Sequence, residues 1–144
     1  MHPLPSKRKD YKGRVTDRRA VAFPDAPTAI GPYSPAIRAG NFLFLSGQIP
    51  LSTITGTISG ADVAAQTEQV MRNLSALLTA AGATFAEVVR TTVYLIDLEE
   101  FGAMNAVYAT YMTDPPPART TIQVARLPLD ARVEIDLIAM LPNP

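Results

Sequence analysis

The sequence predicts an α+β fold, one mixed sheet with two helices packed on one face. Three observations predict it. Short β-branched and aromatic runs alternate with two stretches of helical periodicity in the order β-β-α-β-α-β-β. There is no internal repeat or second core in 144 residues, so one domain suffices. The chain is 47% hydrophobic and 18% charged, a globular balance, without an apolar run near the ~20 residues that cross a bilayer.

Folded sequence is expected from about Val21–Phe23, after a basic extension over residues 1–20; residues 21–144 form the domain. Gly31-Pro32-Tyr33-Ser34-Pro35 forces a rigid turn, since proline fixes φ and glycine admits unusual angles. Ala36–Ala39 reads as a strand, Gly40-Asn41 as a hairpin turn and Phe42–Ile49 as a second strand. Pro50 to Gly60 is a surface loop. Asp62 or Ser59 caps a helix whose Val63, Thr67, Val70, Leu74, Leu77 and Ala81 recur at spacings of three and four, and Gly82 stops it. Glu87–Ile96 is a β-branched strand and Leu98–Tyr111 a second helix, with Phe101, Met104, Tyr108 and Tyr111 on one face. Pro115-Pro116-Pro117 leads into strand Ala118–Val124, and Val133–Met140 is the last strand.

Alternation along the strands carries a quaternary expectation. Phe42 and Phe44 oppose Leu43, Leu45 and Ile49, and Tyr94 and Ile96 oppose Val89, Val93 and Leu95. Both sheet faces are therefore partly apolar, yet two helices cover only one. Leaving large side chains in water forfeits about 25 cal/mol per Å², so a homo-oligomer that buries the helix-free face is expected.

Composition narrows the chemistry. There is no cysteine, and the single histidine, His2, lies near the N-terminus. That excludes a disulfide framework, a thiol nucleophile, a Ser-His-Asp triad and a two-histidine metal site in the domain. Residues 1–20 hold seven bases and two acids, the remainder six bases and eleven acids. The tail could meet nucleic acid or simply be solvated; the acidic body and the lack of interleaved aromatics make nucleic acid an unexpected partner. With neither an apolar span nor a signal-peptide core, a soluble cytoplasmic protein with no membrane partner is expected.

Two strands present candidate polar groups. Arg119, Thr121 and Gln123 share one face of Ala118–Val124. A guanidinium after three prolines could grip a carboxylate in two parallel hydrogen bonds, or could be an exposed strand-end arginine. Glu134 and Asp136 share a face with Ile138 and Met140; either could be a partly desolvated base for water or one of a solvated acid pair. Asn105, between Phe101 and Tyr108, is a third polar group or a local cap. Tyr33 either offers its hydroxyl to a pocket or packs its ring.

Ala29-Ile30-Gly31-Pro32-Tyr33-Ser34, Phe44-Leu45-Ser46-Gly47-Gln48-Ile49-Pro50, Pro117-Ala118-Arg119-Thr120 and Val133-Glu134-Ile135, in this order, resemble the RidA/YjgF family of imine deaminases. The likeness runs from about Phe23 to Met140. It implies a chorismate-mutase-like fold and a homotrimer with inter-subunit clefts. It also implies hydrolysis of 2-imino and enamine acids, such as 2-iminobutanoate and 2-iminopropanoate, to 2-oxo acids and ammonia without metal or organic cofactor. By motif, Arg119 would hold the substrate carboxylate and Glu134 would activate water. Tyr33, Gly47, Asn105 and Thr121 would line the cleft. The sequence departs from the family where Thr121 and Gln123 stand for a more usual Cys and Glu, and in a shorter Thr113–Pro117 connection. A non-catalytic module for small carboxylates, or an RNA-binding or RNA-cleaving relative, would share much of this pattern.

Overall fold

The computed structural model describes residues 17–23 and 31–142. Residues 1–16 of the basic extension, and Ala29-Ile30 of the first motif, lie outside the described residues. Six strands form one mixed sheet in the order β1-β2-β3-β6-β4-β5. They are β1 (Arg18–Ala20), β2 (Ala36–Ala39), β3 (Phe42–Gln48), β4 (Val88–Leu95), β5 (Ala118–Gln123) and β6 (Val133–Met140). All pairings are antiparallel except that of β4 with β5.

The two helices are α1 (Val63–Ala80) and α2 (Phe101–Ala109). The Asp62 carboxylate accepts from the Ala65 amide at 2.8 Å, capping α1 as the sequence predicts. Val63, Thr67, Val70, Met71, Leu74, Leu77 and Leu78 form its buried face. Gly82, at φ +81°, ends the helix in the left-handed region. This face packs on Leu43, Leu45, Val93, Leu95, Val133, Ile135, Leu137 and Ala139, the helix-side residues of β3, β4 and β6. Among the described residues no helix is long and apolar enough to cross a membrane.

Three differences from the sequence reading have physical causes. Arg18–Ala20, placed in the extension, pair with Ile37–Ala39 as an edge strand, so the sheet starts before Val21. A register shift between Val88 and Arg90 inserts an extra residue, turning Val89 out to solvent instead of in with Val93. The second helix opens as a 3₁₀ turn, Leu98–Glu100, and its α-helical part ends at Ala109.

The helix-free face has two halves. Phe42 pairs with Met140 and Phe44 with Ile138, and Phe42, Phe44 and Met140 stand 44%, 43% and 50% exposed. Toward the other end the same face carries Asp136, Glu134, Thr92 and Tyr94.

Candidate functional site

Arg119 lies on the edge strand β5, in register with Thr91 of β4, and turns toward α2. Phe101, Asn105 and Tyr108 fall at i, i+4 and i+7, one face of that helix, and all three meet the guanidinium. Arg119 Nη1 donates to Asn105 Oδ1 at 2.7 Å. Its Cζ is 4.8 Å from the Tyr108 ring centroid and 5.4 Å from that of Phe101. The Tyr108 hydroxyl lies 2.8 Å from Thr91 Oγ1 in a buried hydrogen bond, which fixes the ring. Among the described residues no carboxylate pairs with Arg119; the ion pairs there join Arg72 to Glu68, Arg126 to Asp130 and Arg132 to Glu100. A half-buried cation met by a neutral amide and two π faces keeps its charge available to an anion.

Two positions along β5, the buried Thr121 hydroxyl finds no hydrogen-bond partner among the described residues. Gln123 Oε1 accepts from the Leu98 amide at 2.9 Å, tying the strand to the turn that begins the second helical segment.

A second group of residues stands on the helix-free face. A register shift between Leu45 and Gln48 carries Ser46 and Gly47 past β6, and a Cβ on Gly47 would lie 2.9 Å from the Glu134 carboxylate. Here glycine is needed for space, not for its backbone angles. Burial, with the charge of Asp136 adding, raises the pKa of Glu134 above the usual carboxylate range. Asp136 accepts from the Tyr94 hydroxyl at 2.9 Å. Burial and that hydrogen bond push the phenol up. Ser46 Oγ donates to the Ser34 carbonyl at 2.7 Å and the Ser46 amide to Pro35, so the Gly31–Ser34 turn is pinned beside Gly47. Tyr33 in that turn is 55% exposed, its ring unpacked against any core.

The structure thus brings together Arg119, Asn105 and Thr121, and separately Gly47 and Glu134 with the Tyr33 turn nearby. It does not join the two groups within one chain. Thr91 marks the level of Arg119 and Tyr94 that of Glu134, three residues along and two strands across. That separates their Cα atoms by about 14 Å, with side chains on opposite faces. Sequence reasoning missed Thr91, and read Phe101 and Tyr108 only as members of one apolar helix face; their spacing around Asn105 was the available signal. Among the described residues no group of three or more His, Asp or Glu side chains is placed to hold a metal. An open groove of about 610 Å³ lies elsewhere, along α1 beside Arg72, Thr79 and Tyr111. There Glu68 already takes hydrogen bonds from both Arg72 and Tyr111, leaving no unmatched charge for a ligand.

The family model described as endoribonuclease L-PSP matches residues 23–141. The chain is 48% identical over 124 residues to the chloroplastic Reactive Intermediate Deaminase A of Arabidopsis thaliana, covering 86% of this chain and 66% of that protein. It is similar to the crystal structure of the E. coli YjgF gene product, with 42% identity and a TM-score of 0.79 over 85% of this chain and 98% of that one. It is also similar to E. coli TdcF with bound serine, with 37% identity and a TM-score of 0.80 over 86% and 99%.

Proposed function

This chain belongs to the RidA/YjgF family, whose model is described as endoribonuclease L-PSP, and on that premise we propose that it hydrolyses 2-imino and enamine acids to 2-oxo acids and ammonia. The observation that carries this reading is the Arg119 guanidinium, half-buried and without a carboxylate among the described residues. Its Nη2–Nε edge has no partner there and presents two N–H groups to a carboxylate, each charge-assisted bond contributing about 1.5–3 kcal/mol. The serine bound by the similar E. coli TdcF is itself an α-carboxylate, which favours the same use of this arginine.

Glu134 supplies the base. Water adds to the electrophilic iminium carbon while Glu134 accepts its proton, forming a carbinolamine. Glu134 then returns the proton to nitrogen and, as the C–N bond breaks and the carbonyl forms, takes the hydroxyl proton, which the departing ammonia carries away as ammonium. A raised pKa suits a group that must both take and return a proton near neutrality. Gly47 leaves room for the carboxylate beside the β3 backbone. Thr121 stands two positions along β5 from Arg119, its buried hydroxyl without a partner among the described residues, and Tyr33 lines the cleft.

Arg119 and Glu134 face away from each other in one chain, which supports a site formed between chains, in the homotrimer that the family resemblance implies. The half-exposed Phe42, Phe44 and Met140 stand on the same face as the Glu134 group, and burying the rest of each against another copy contributes about 1 kcal/mol, roughly half the value for a fully exposed side chain. Ammonia release from an amino acid fed through an oxidase or dehydratase tests the reading. The wild-type chain should accelerate it, and Arg119→Ala should lower kcat/KM by about 10²-fold or more with the assembly intact. Full activity in Arg119→Ala would end the assignment. Carboxylate binding without acceleration would make the chain a binding module instead.

A further inference from the structure

The rise from residue 101 to residue 108 of a helix is about 10.5 Å. The guanidinium carbon stands 5.4 Å from the first ring and 4.8 Å from the second, so it is lodged between two rings two turns apart. Asn105, one turn after Phe101, takes a single N–H of Nη1. The slot has an immobile wall and an open one. Tyr108 is buried and bonded to the equally buried Thr91 of the neighbouring strand, whereas Phe101 is 40% exposed.

We infer that Phe101 and Tyr108 are positioning residues that act through Arg119, holding the guanidinium so that its Nη2–Nε edge meets the substrate carboxylate. The inference rests on the carboxylate-binding reading of Arg119 and adds the means by which that side chain is oriented. An arginine on an edge strand, without an ionic partner among the described residues, otherwise has many rotamers, and each carboxylate bound would have to order it. A slot of π faces restricts it and offers no negative charge to compete with the ligand, which a carboxylate partner would do. Phe101 closes the exposed side, so its loss frees the arginine while leaving the buried Thr91–Tyr108 pair in place.

The experiment compares the full-length wild type, Phe101→Leu, Phe101→Tyr and Arg119→Ala. KM and kcat are measured in the coupled deamination assay, and the dissociation constant of 2-oxobutanoate by titration. Phe101→Leu should raise KM and the dissociation constant about three- to tenfold with kcat within about twofold, and Phe101→Tyr should restore both. Unchanged constants in Phe101→Leu, alongside weakened binding in Arg119→Ala, would overturn the slot and leave the carboxylate reading standing. Wild-type affinity in Arg119→Ala would overturn both. A parallel fall of kcat and melting temperature in Phe101→Leu, or failure of Phe101→Tyr to restore binding, would show a structural role and overturn the inference.

Discussion

Replacing Gly47 by alanine separates the work of the base from that of the carboxylate holder. A Cβ at this position would stand 2.9 Å from both Cδ and Oε2 of Glu134 and 3.1 Å from its Cγ. Ordinary carbon contacts lie at about 3.5–4.0 Å, so the carboxylate must retreat by about 0.6–1 Å. The atoms in the way belong to the far end of a flexible side chain, so the backbone can stay and the stability loss should remain below about 1 kcal/mol. A misplacement of about 1 Å costs a reacting group up to about 10²-fold. Gly47→Ala should therefore lower kcat by about 10- to 100-fold in the coupled ammonia assay. KM should stay within about threefold, because the substrate carboxylate is held by another chain's Arg119 while the atoms a Gly47 Cβ meets are those of Glu134, and the melting temperature should hold. A loss expressed in KM alone, or wild-type turnover from Gly47→Ala, would refute the displacement of Glu134, and wild-type turnover from Glu134→Gln would refute Glu134 as the base.

Two further outcomes follow from the same geometry. Glu134 must be ionised to accept a proton, and burial raises its pKa, so the acidic limb of the wild-type kcat/KM profile should lie above that of an ordinary glutamate, and a limb at the ordinary position would contradict the assignment. By linkage, a carboxyl with a raised native pKa contributes stability while protonated and loses that contribution as pH rises through the native value. Glu134→Gln should accordingly raise the melting temperature at neutral pH and have less effect below the native pKa. Tyr108→Phe leaves the buried Thr91 hydroxyl without its partner, at a cost of about 1–3 kcal/mol; adding Thr91→Val should recover most of it in urea unfolding.

The sheet and helix order were legible because each element carries its own period and its own stop. Asp62 and Gly82 bracket α1, and the alternation of Val133–Met140 assigns every residue of β6 to the face it occupies. Arg18–Ala20 escaped notice since three residues, two of them arginine, have no apolar alternation to read; their strand exists because β2 has a free edge. The bulge that exposes Val89 leaves no mark in a run of β-branched residues, any of which tolerates either face. Arg119 and Glu134 were legible as residue types at strand positions, but not as groups on opposite faces. That separation depends on strand order, which no local pattern encodes. Phe101 and Tyr108 read only as an apolar helix face because such a stripe looks the same whether it covers a leucine or a guanidinium.

The central claim is that one chain's Arg119 works with another chain's Glu134, and mixing inactive variants tests it most directly. Arg119→Ala and Glu134→Gln chains, each inactive alone, are unfolded together in equal amounts, refolded and assayed for imine hydrolysis. Hybrid assemblies containing clefts with both native residues should recover a substantial fraction of wild-type activity, while each variant refolded alone recovers none. A mixture that forms hybrids, detected by mass, yet stays inactive would contradict a site shared between chains.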